Sequence, residues 1–171
     1  MEQAPFSVER LDRTYDRAAF SSGVEPLDRY LKTQALQDVR RNLATPFVLI
    51  DHQDNAIAGY YTLSATGIVP SHLPDELTHG LPAYDLYPAT RIGRLAVDQR
   101  YRGRKLGSVL LADAVVRAYE NRQVINAMAI VVDAKDDTAA AFYARHGFVP
   151  FRGHPHTLYL LMATVKARFG G

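Results

Sequence analysis

The chain has 171 residues, of which 47% are hydrophobic and 22% charged, which is enough for one compact domain with a sizeable core and too little for two ordinary ones. It contains no cysteine, so disulfide scaffolds, thiolate metal sites and cysteine nucleophiles are excluded. The net charge of +2 hides an asymmetry: up to Thr90 there are 7 basic and 12 acidic residues, and from Arg91 onward 13 basic and 6 acidic. Arg91, Arg94, Arg100, Arg102, Arg104 and Lys105 set six cations against the single anion Asp98. Such a cluster suits a polyanion: a phosphate-bearing cofactor, a nucleic acid, or both. No stretch reaches the roughly 18 apolar residues of a membrane span, and the first residues carry acids without an apolar run, so a cytoplasmic, non-membrane protein without a secretory signal is expected.

Residues 6–11 alternate and predict a short edge strand. Two short amphipathic helices follow, with Leu27, Tyr30 and Leu31 on one face of the first and Ala35, Leu36 and Val39 on one face of the second. Pro46–Asp51 and Ala56–Ala65 flank a polar turn and predict a hairpin. Between Gly67 and Ala89, four prolines and two glycines predict a long loop, in which Tyr84 and Tyr87 either line a groove or pin the loop to the body. Thr90–Val97 reads as a strand, Arg100–Gly107 as a basic turn, and the residues to about Arg122 as a helix with Gly107, Leu110, Leu111, Ala114 and Ala118 along one stripe. Ala127–Val132 is an apolar run ended by Asp133. Asp136 or Asp137 caps a short helix, Thr138–His146, which Gly147 stops. Phe148–Phe151 and Thr157–Thr164 predict two closing strands, with His154-Pro155-His156 in a loop between them. Those histidines have no cysteine or carboxylate partner nearby in sequence, and no metal site is expected.

The unit with the most chemical content is strand, basic glycine turn, helix, from Leu95 to Ala118. A strand that feeds a turn opening a helix gathers unbonded backbone amides at the positive end of the helix dipole, which suits a pyrophosphate. Gly103 and Gly107 let backbone approach a ligand closely, and Arg102, Arg104 and Lys105 add cationic donors. The segment is neither a Walker loop nor a dinucleotide-binding fingerprint.

Arg102-Gly103-Arg104-Lys105-Leu106-Gly107 resembles the Arg/Gln-x-x-Gly-x-Gly/Ala phosphate motif of the GNAT acetyltransferase superfamily, with Lys105 in place of the middle glycine. Leu95-Ala96-Val97-Asp98 looks like that family's fourth strand, and Phe142-Tyr143 through Gly147-Phe148 like its Phe-Tyr-x-x-x-Gly-Phe signature. Residues 20–31, Gln34–Asp38, Gly59–Ala65, Gly93–Asp98 and Val132-Asp133-Ala134 narrow the resemblance to the GNAT toxins of toxin–antitoxin pairs. It runs over nearly the whole chain.

The resemblance implies a single domain, 1–171, with a central mixed, mostly antiparallel sheet of six to seven strands flanked by about four helices. It implies acetyl-CoA as cosubstrate, held by Leu95, Ala96, Val97, Arg102, Gly103, Arg104, Lys105, Leu106, Gly107 and Ser108, with backbone amides around Leu95–Val97 polarising the carbonyl. A thiol has a pKa near 8.5, so a donor beside the sulfur eases its departure, and Tyr143 sits where the family places that donor. The resemblance implies aminoacyl-tRNA as acceptor, a homodimer, and neutralisation by a ribbon-helix-helix antitoxin. Arg40, Arg41, Arg91, Arg94, Arg145 and Arg152 are the expected contacts to tRNA phosphates. No general base stands out, and an α-amine titrating near pH 8 has little need of one. Two other readings stay open: a GNAT enzyme acting on a small amine or protein N-terminus, and a non-catalytic module that holds CoA or nucleic acid.

Overall fold

The computed structural model describes residues 5–169. Met1–Ala4 and Gly170–Gly171, the ends of the expected 1–171 domain, lie outside them. Strand β1 (Phe6–Arg10) is followed by α1 (Glu25–Arg29), α2 (Ala35–Arg40), and the hairpin β2 (Thr45–Asp51) and β3 (Ala56–Ile68). Then come α3 (Asp75–Thr78), β4 (Tyr87–Val97), α4 (Leu106–Asn121), β5 (Ala129–Asp133), α5 (Asp137–Arg145), β6 (Val149–Phe151), β7 (His154–Leu161) and α6 (Met162–Arg168). The strands form one sheet in the order β1-β2-β3-β4-β5-β7-β6. β4 runs parallel to β5, whereas β1–β2, β2–β3, β5–β7 and β6–β7 are antiparallel. This is the mixed, mostly antiparallel sheet with flanking helices that the resemblance implies.

The contacts divide the chain into two compact units, Met1–Ser64 with Gly93–Ala114, and Ala65–Ile92 with Val115–Gly171. The first is packed around Phe20, Leu31, Val48, Tyr60 and Ala96, the second around Ile68, Leu73, Ala89, Val131 and Tyr159. Burying each of the large side chains contributes about 1.5–3 kcal/mol, so each unit has a core of its own.

Four local expectations are corrected. The two N-terminal helices are joined by a π-helical turn, Tyr30–Gln34, where the Thr33 hydroxyl donates back to the Arg29 carbonyl at 2.7 Å. The segment from Gly67 to Ala89 is not all loop: β3 runs on to Ile68, and Pro70 and Pro74 open a 3-10 turn and α3 instead of merely breaking structure. Proline is tolerated in a first turn because its missing amide has no partner there in any case. β4 begins at Tyr87, earlier than Thr90, because the Pro88 carbonyl still accepts from the Met128 amide at 2.8 Å. The last strand spans His154–Leu161, shifted from the expected Thr157–Thr164, so His154-Pro155-His156 is strand and the residues from Met162 turn into α6. The shift follows from a tight turn at Arg152-Gly153, where Gly153 takes φ +76° and brings His154 opposite Phe151.

Other expectations hold closely. α4 buries Leu110, Leu111, Ala114 and Ala118, and Asp136 caps α5 by accepting from the Ala139 amide at 2.8 Å. Tyr87 pins the proline-rich segment by donating to the Pro82 carbonyl at 2.6 Å, whereas Tyr84 is 59% exposed.

Candidate active site

In the first unit the basic turn is anchored at its N-terminal end by two buried side chains. Asp98, only 1% exposed, accepts from the Ser21 and Arg100 amides, each at 2.9 Å, and from the Arg100 guanidinium at 3.0 Å. Burial alone raises a carboxyl pKa, but these donors outweigh it and hold Asp98 below the usual carboxylate range. Three residues on, the buried Tyr101 hydroxyl donates to Asp51 of β2 at 2.6 Å. That bond lowers the Asp51 carboxyl, while burial and Asp51 push the Tyr101 phenol up to about 12.

Between these anchors and α4 lie two residues in the left-handed region, Gly103 at φ +80° and Lys105 at φ +58°. Nothing lies within 4 Å of where a Gly103 side chain would begin, so glycine serves conformation there and the loop face is open. Lys105 occupies the position at which the resembled motif has glycine, and its backbone shows why: the turn requires a positive φ, which costs an L-residue about 1–2 kcal/mol. The departure therefore changes the side chain and leaves the loop geometry in place. α4 starts at Leu106, so the Leu106 and Gly107 amides precede any intrahelical acceptor. With the dipole of a 16-residue helix behind them, these amides fit an anionic diphosphate. On β3, Gly59 faces the fourth strand closely: a Cβ there would stand 2.8 Å from the Ala96 carbonyl oxygen and 2.7 Å from Leu110 Cδ1.

The six-cation cluster is not one free patch. Arg100 is paired with Asp98, Arg94 lies 3.6 Å above the Tyr30 ring, and Arg102 donates to the Ser22 carbonyl at 3.3 Å. Arg104 stands over Phe6 and Tyr101, and Lys105 is exposed. The Arg94 contact belongs to a network that sequence reasoning missed. Tyr30 donates to Asp38 at 2.7 Å and Gln34 to the same carboxylate at 2.9 Å. Burial and the bond to Asp38 raise the Tyr30 phenol, with Arg94 opposing. Arg40 and Arg41 are exposed at the end of α2.

In the second unit, α5 presents Tyr143. Its ring is buried against Phe142 and Phe148, with centroids at 5.3 and 5.8 Å. Burial first, and then the charge of Asp133, push the phenol up to about 12, so it carries its proton throughout the neutral range. Most buried tyrosines spend that proton inside the chain: Tyr30 on Asp38, Tyr60 on the Leu27 carbonyl, Tyr61 on Asp113, Tyr87 on the Pro82 carbonyl and Tyr101 on Asp51. Among the described residues, Tyr143 and Tyr159 are the buried tyrosines whose hydroxyls donate to none. Arg91 is paired with Asp133 and donates to Thr66 at 3.2 Å. Arg145 is exposed, and Arg152 pairs with Asp75 at 3.4 Å. His156 meets Asp137 at 2.6 Å, and no three metal-binding side chains gather among the described residues.

Residues 45–150 match the acetyltransferase (GNAT) domain model. The chain belongs to the GNAT acetyltransferase family. It is 34% identical over 161 residues to the tRNA-acetylating toxin of Mycobacterium tuberculosis, covering 94% of this chain and 95% of that protein. Among solved structures, AtaT complexed with acetyl-methionyl-tRNAfMet superposes with a TM-score of 0.89 at 25% identity, covering 96% of this chain and 99% of the other. The crystal structure of AtaTR bound with acetyl-CoA gives a TM-score of 0.84 at 25% identity, with coverage of 96% and 98%. As a GNAT acetyltransferase the chain is an enzyme, which removes the non-catalytic module from the open readings.

Proposed function

We propose that the chain is an acetyl-CoA-dependent N-acetyltransferase that acetylates the α-amine of aminoacyl-tRNA and so acts as a toxin that blocks translation. The observation that carries this reading is the likeness, over nearly its full length, to a tRNA-acetylating toxin. The AtaT complexes with acetyl-methionyl-tRNAfMet and with acetyl-CoA support it.

On this reading the whole span, 1–171, works as one catalytic domain. Acetyl-CoA supplies an activated thioester. Gly103, Arg104, Lys105, Leu106, Gly107 and Ser108 receive its diphosphate, with Arg102 adding charge at the rim. The backbone of Leu95, Ala96 and Val97 pairs with the pantetheine arm and polarises the carbonyl. Tyr143 donates its hydrogen bond to the sulfur as it leaves. A phenol near 12 gives up its proton to a thiolate only uphill, so its contribution is a strong directed hydrogen bond as much as proton transfer. Exposed Arg40, Arg41 and Arg145, with Arg152, meet tRNA phosphates, and binding weakens steeply with salt. Arg91 and Arg94 already have partners inside the chain and serve the fold first.

The setting follows from the acceptor. Charged tRNA is met in the cytoplasm, and no described helix is long and apolar enough to cross a membrane. A homodimer and a ribbon-helix-helix antitoxin complete the reading on resemblance to the toxin branch. Sedimentation of the purified chain and a small reading frame beside its gene test them.

The decisive experiment is transfer of radiolabelled acetyl from acetyl-CoA to a pool of charged tRNA, with wild type and Tyr143→Phe side by side. Label on aminoacyl-tRNA that the variant fails to deliver establishes the substrate and the donor together. No label, with acetyl-CoA still bound, refutes the tRNA reading and turns the search to small amines and protein N-termini.

A further inference from the structure

The second unit holds a cleft of about 210 Å³ that the cosubstrate reading leaves unused. Its lining combines apolar Ile68, Val131 and Phe151 with polar Arg91, Asp133 and Thr157. At about 30 Å³ per water, that volume is worth roughly seven waters, which is room for a small polar head group. Asp133 is the one carboxylate among the lining residues described.

Three features make that carboxylate more than a surface acid. It ends β5 in register with Thr157 of β7, so its backbone is fixed by the sheet. Its Oδ2 accepts from Arg91, while its Oδ1 receives only a long bond, 3.4 Å, from the Thr157 hydroxyl. A carboxylate offers about four lone-pair sites, so acceptor capacity remains, and the side chain is 46% exposed. Three residues separate it from α5, the helix that carries Tyr143, so the two groups belong to one neighbourhood of the second unit, and its charge adds to the burial that raises the Tyr143 phenol. If Tyr143 donates to the leaving sulfur, the attacking amine must arrive in that neighbourhood as well.

We propose that Asp133 docks the amine of the acetyl acceptor, its carboxylate taking the N–H bonds of an ammonium or amine in the cleft while Arg91 holds it in place. This inference rests on the aminoacyl-tRNA reading and assigns the part of the substrate it leaves open. The geometry also accounts for discrimination and release. An amine that arrives as an ammonium brings a full charge to the carboxylate, and a hydroxyl does not. Attack needs the neutral amine, so the ammonium first gives its extra proton to solvent. The N–C bond then forms as the thioester C–S bond breaks, and the amine's second proton goes to the CoA thiolate. The neutral amide product loses the interaction that docked the substrate.

The test is equilibrium binding of the full chain, with Tyr143→Phe to suppress turnover, to one tRNA in three forms: aminoacylated, N-acetyl-aminoacylated, and charged with the matching α-hydroxy acid. A hydrogen bond between charged partners is worth roughly a tenfold preference or more, so the aminoacyl form is expected to bind about tenfold tighter than the other two. Adding Asp133→Asn is expected to bring that ratio close to one without changing affinity for the hydroxyacyl form. Arg91→Gln, which removes the partner that holds the carboxylate in place, is expected to lower the ratio. It carries the test alone if the Asn variant melts early. An unchanged ratio in Asp133→Asn overturns the inference, and so does an equal loss for all three forms, which marks a general electrostatic or structural role. A folded chain that binds acetyl-CoA and none of the three tRNAs refutes the aminoacyl-tRNA reading itself and takes the inference with it.

Discussion

Replacing Lys105 with glycine separates two properties that this residue combines, a strained backbone and a positive charge. At φ +58° a lysine carries a conformational cost of about 1–2 kcal/mol. Glycine removes it but adds about 0.4–1 kcal/mol of unfolded-state entropy. The net expectation is a gain of about 0.5–1 kcal/mol, which for a chain of this length raises Tm by roughly 1–4 °C. Lys105→Ala removes the same charge and keeps the strain, so its Tm is expected to stay at or below wild type. Both variants lose one exposed cation, and both are expected to bind acetyl-CoA a few-fold more weakly at low salt, a difference that fades at about 0.5 M. Thermal melts followed by circular dichroism, with acetyl-CoA titrations at two salt concentrations, read the two effects separately. Glycine and alanine variants that melt together would refute the strain account, because charge is then all that Lys105 contributes.

Further outcomes are expected from the rest of the site. Tyr143→Phe is expected to lower kcat about 10²- to 10⁴-fold with acetyl-CoA affinity unchanged. Because the phenol sits near 12, neither wild type nor variant should show an alkaline limb from it below about pH 10. A wild-type decline in that range that disappears in the variant would contradict the assignment. Asp98→Asn is expected to cost about 1–3 kcal/mol at neutral pH. Since the folded carboxyl is held below its ordinary value, that stability is present above about pH 4 and is lost as pH falls through the folded pKa. Denaturant midpoints of the two proteins should therefore converge in acid, and a constant gap would assign the effect to packing. Gly59→Ala forces a methyl against the Ala96 carbonyl and Leu110, and is expected to cost about 1–3 kcal/mol, measured by urea unfolding.

What was legible in the sequence followed from short-range rules. The stripe of Leu110, Leu111, Ala114 and Ala118 announced α4, and Asp136 with Gly147 bounded α5, because periodicity and capping are local. The basic turn ahead of α4 was legible through its glycines and cations, whereas the reason Lys105 can stand where the resembled motif has glycine was not, since it lies in the positive φ of that position. The Arg91–Asp133 pair and the stacking of Arg94 on Tyr30 were not legible. Each joins residues 42 or 64 positions apart, so the clustered arginines looked like one anion site when all five already have partners. The prolines misled in the opposite sense, since Pro70 and Pro74 can start turns as well as end them. The displacement of β7 came from Gly153, whose turn set a register that hydrophobic alternation alone does not fix.

The division of the chain into units cuts through β3, β4 and α4, at Ser64/Ala65, Ile92/Gly93 and Ala114/Val115, so each unit is stitched from two stretches. A ribosome making this protein emits the first stretch of unit one and then 28 residues of unit two before the completing stretch, Gly93–Ala114, begins to emerge. At about 5–20 residues per second, Val48 and Tyr60 wait on the order of 1 to 6 s before synthesis even reaches the segment that carries Ala96. Until then the first core is incomplete, and on the proposed function a slowed ribosome would prolong that stage.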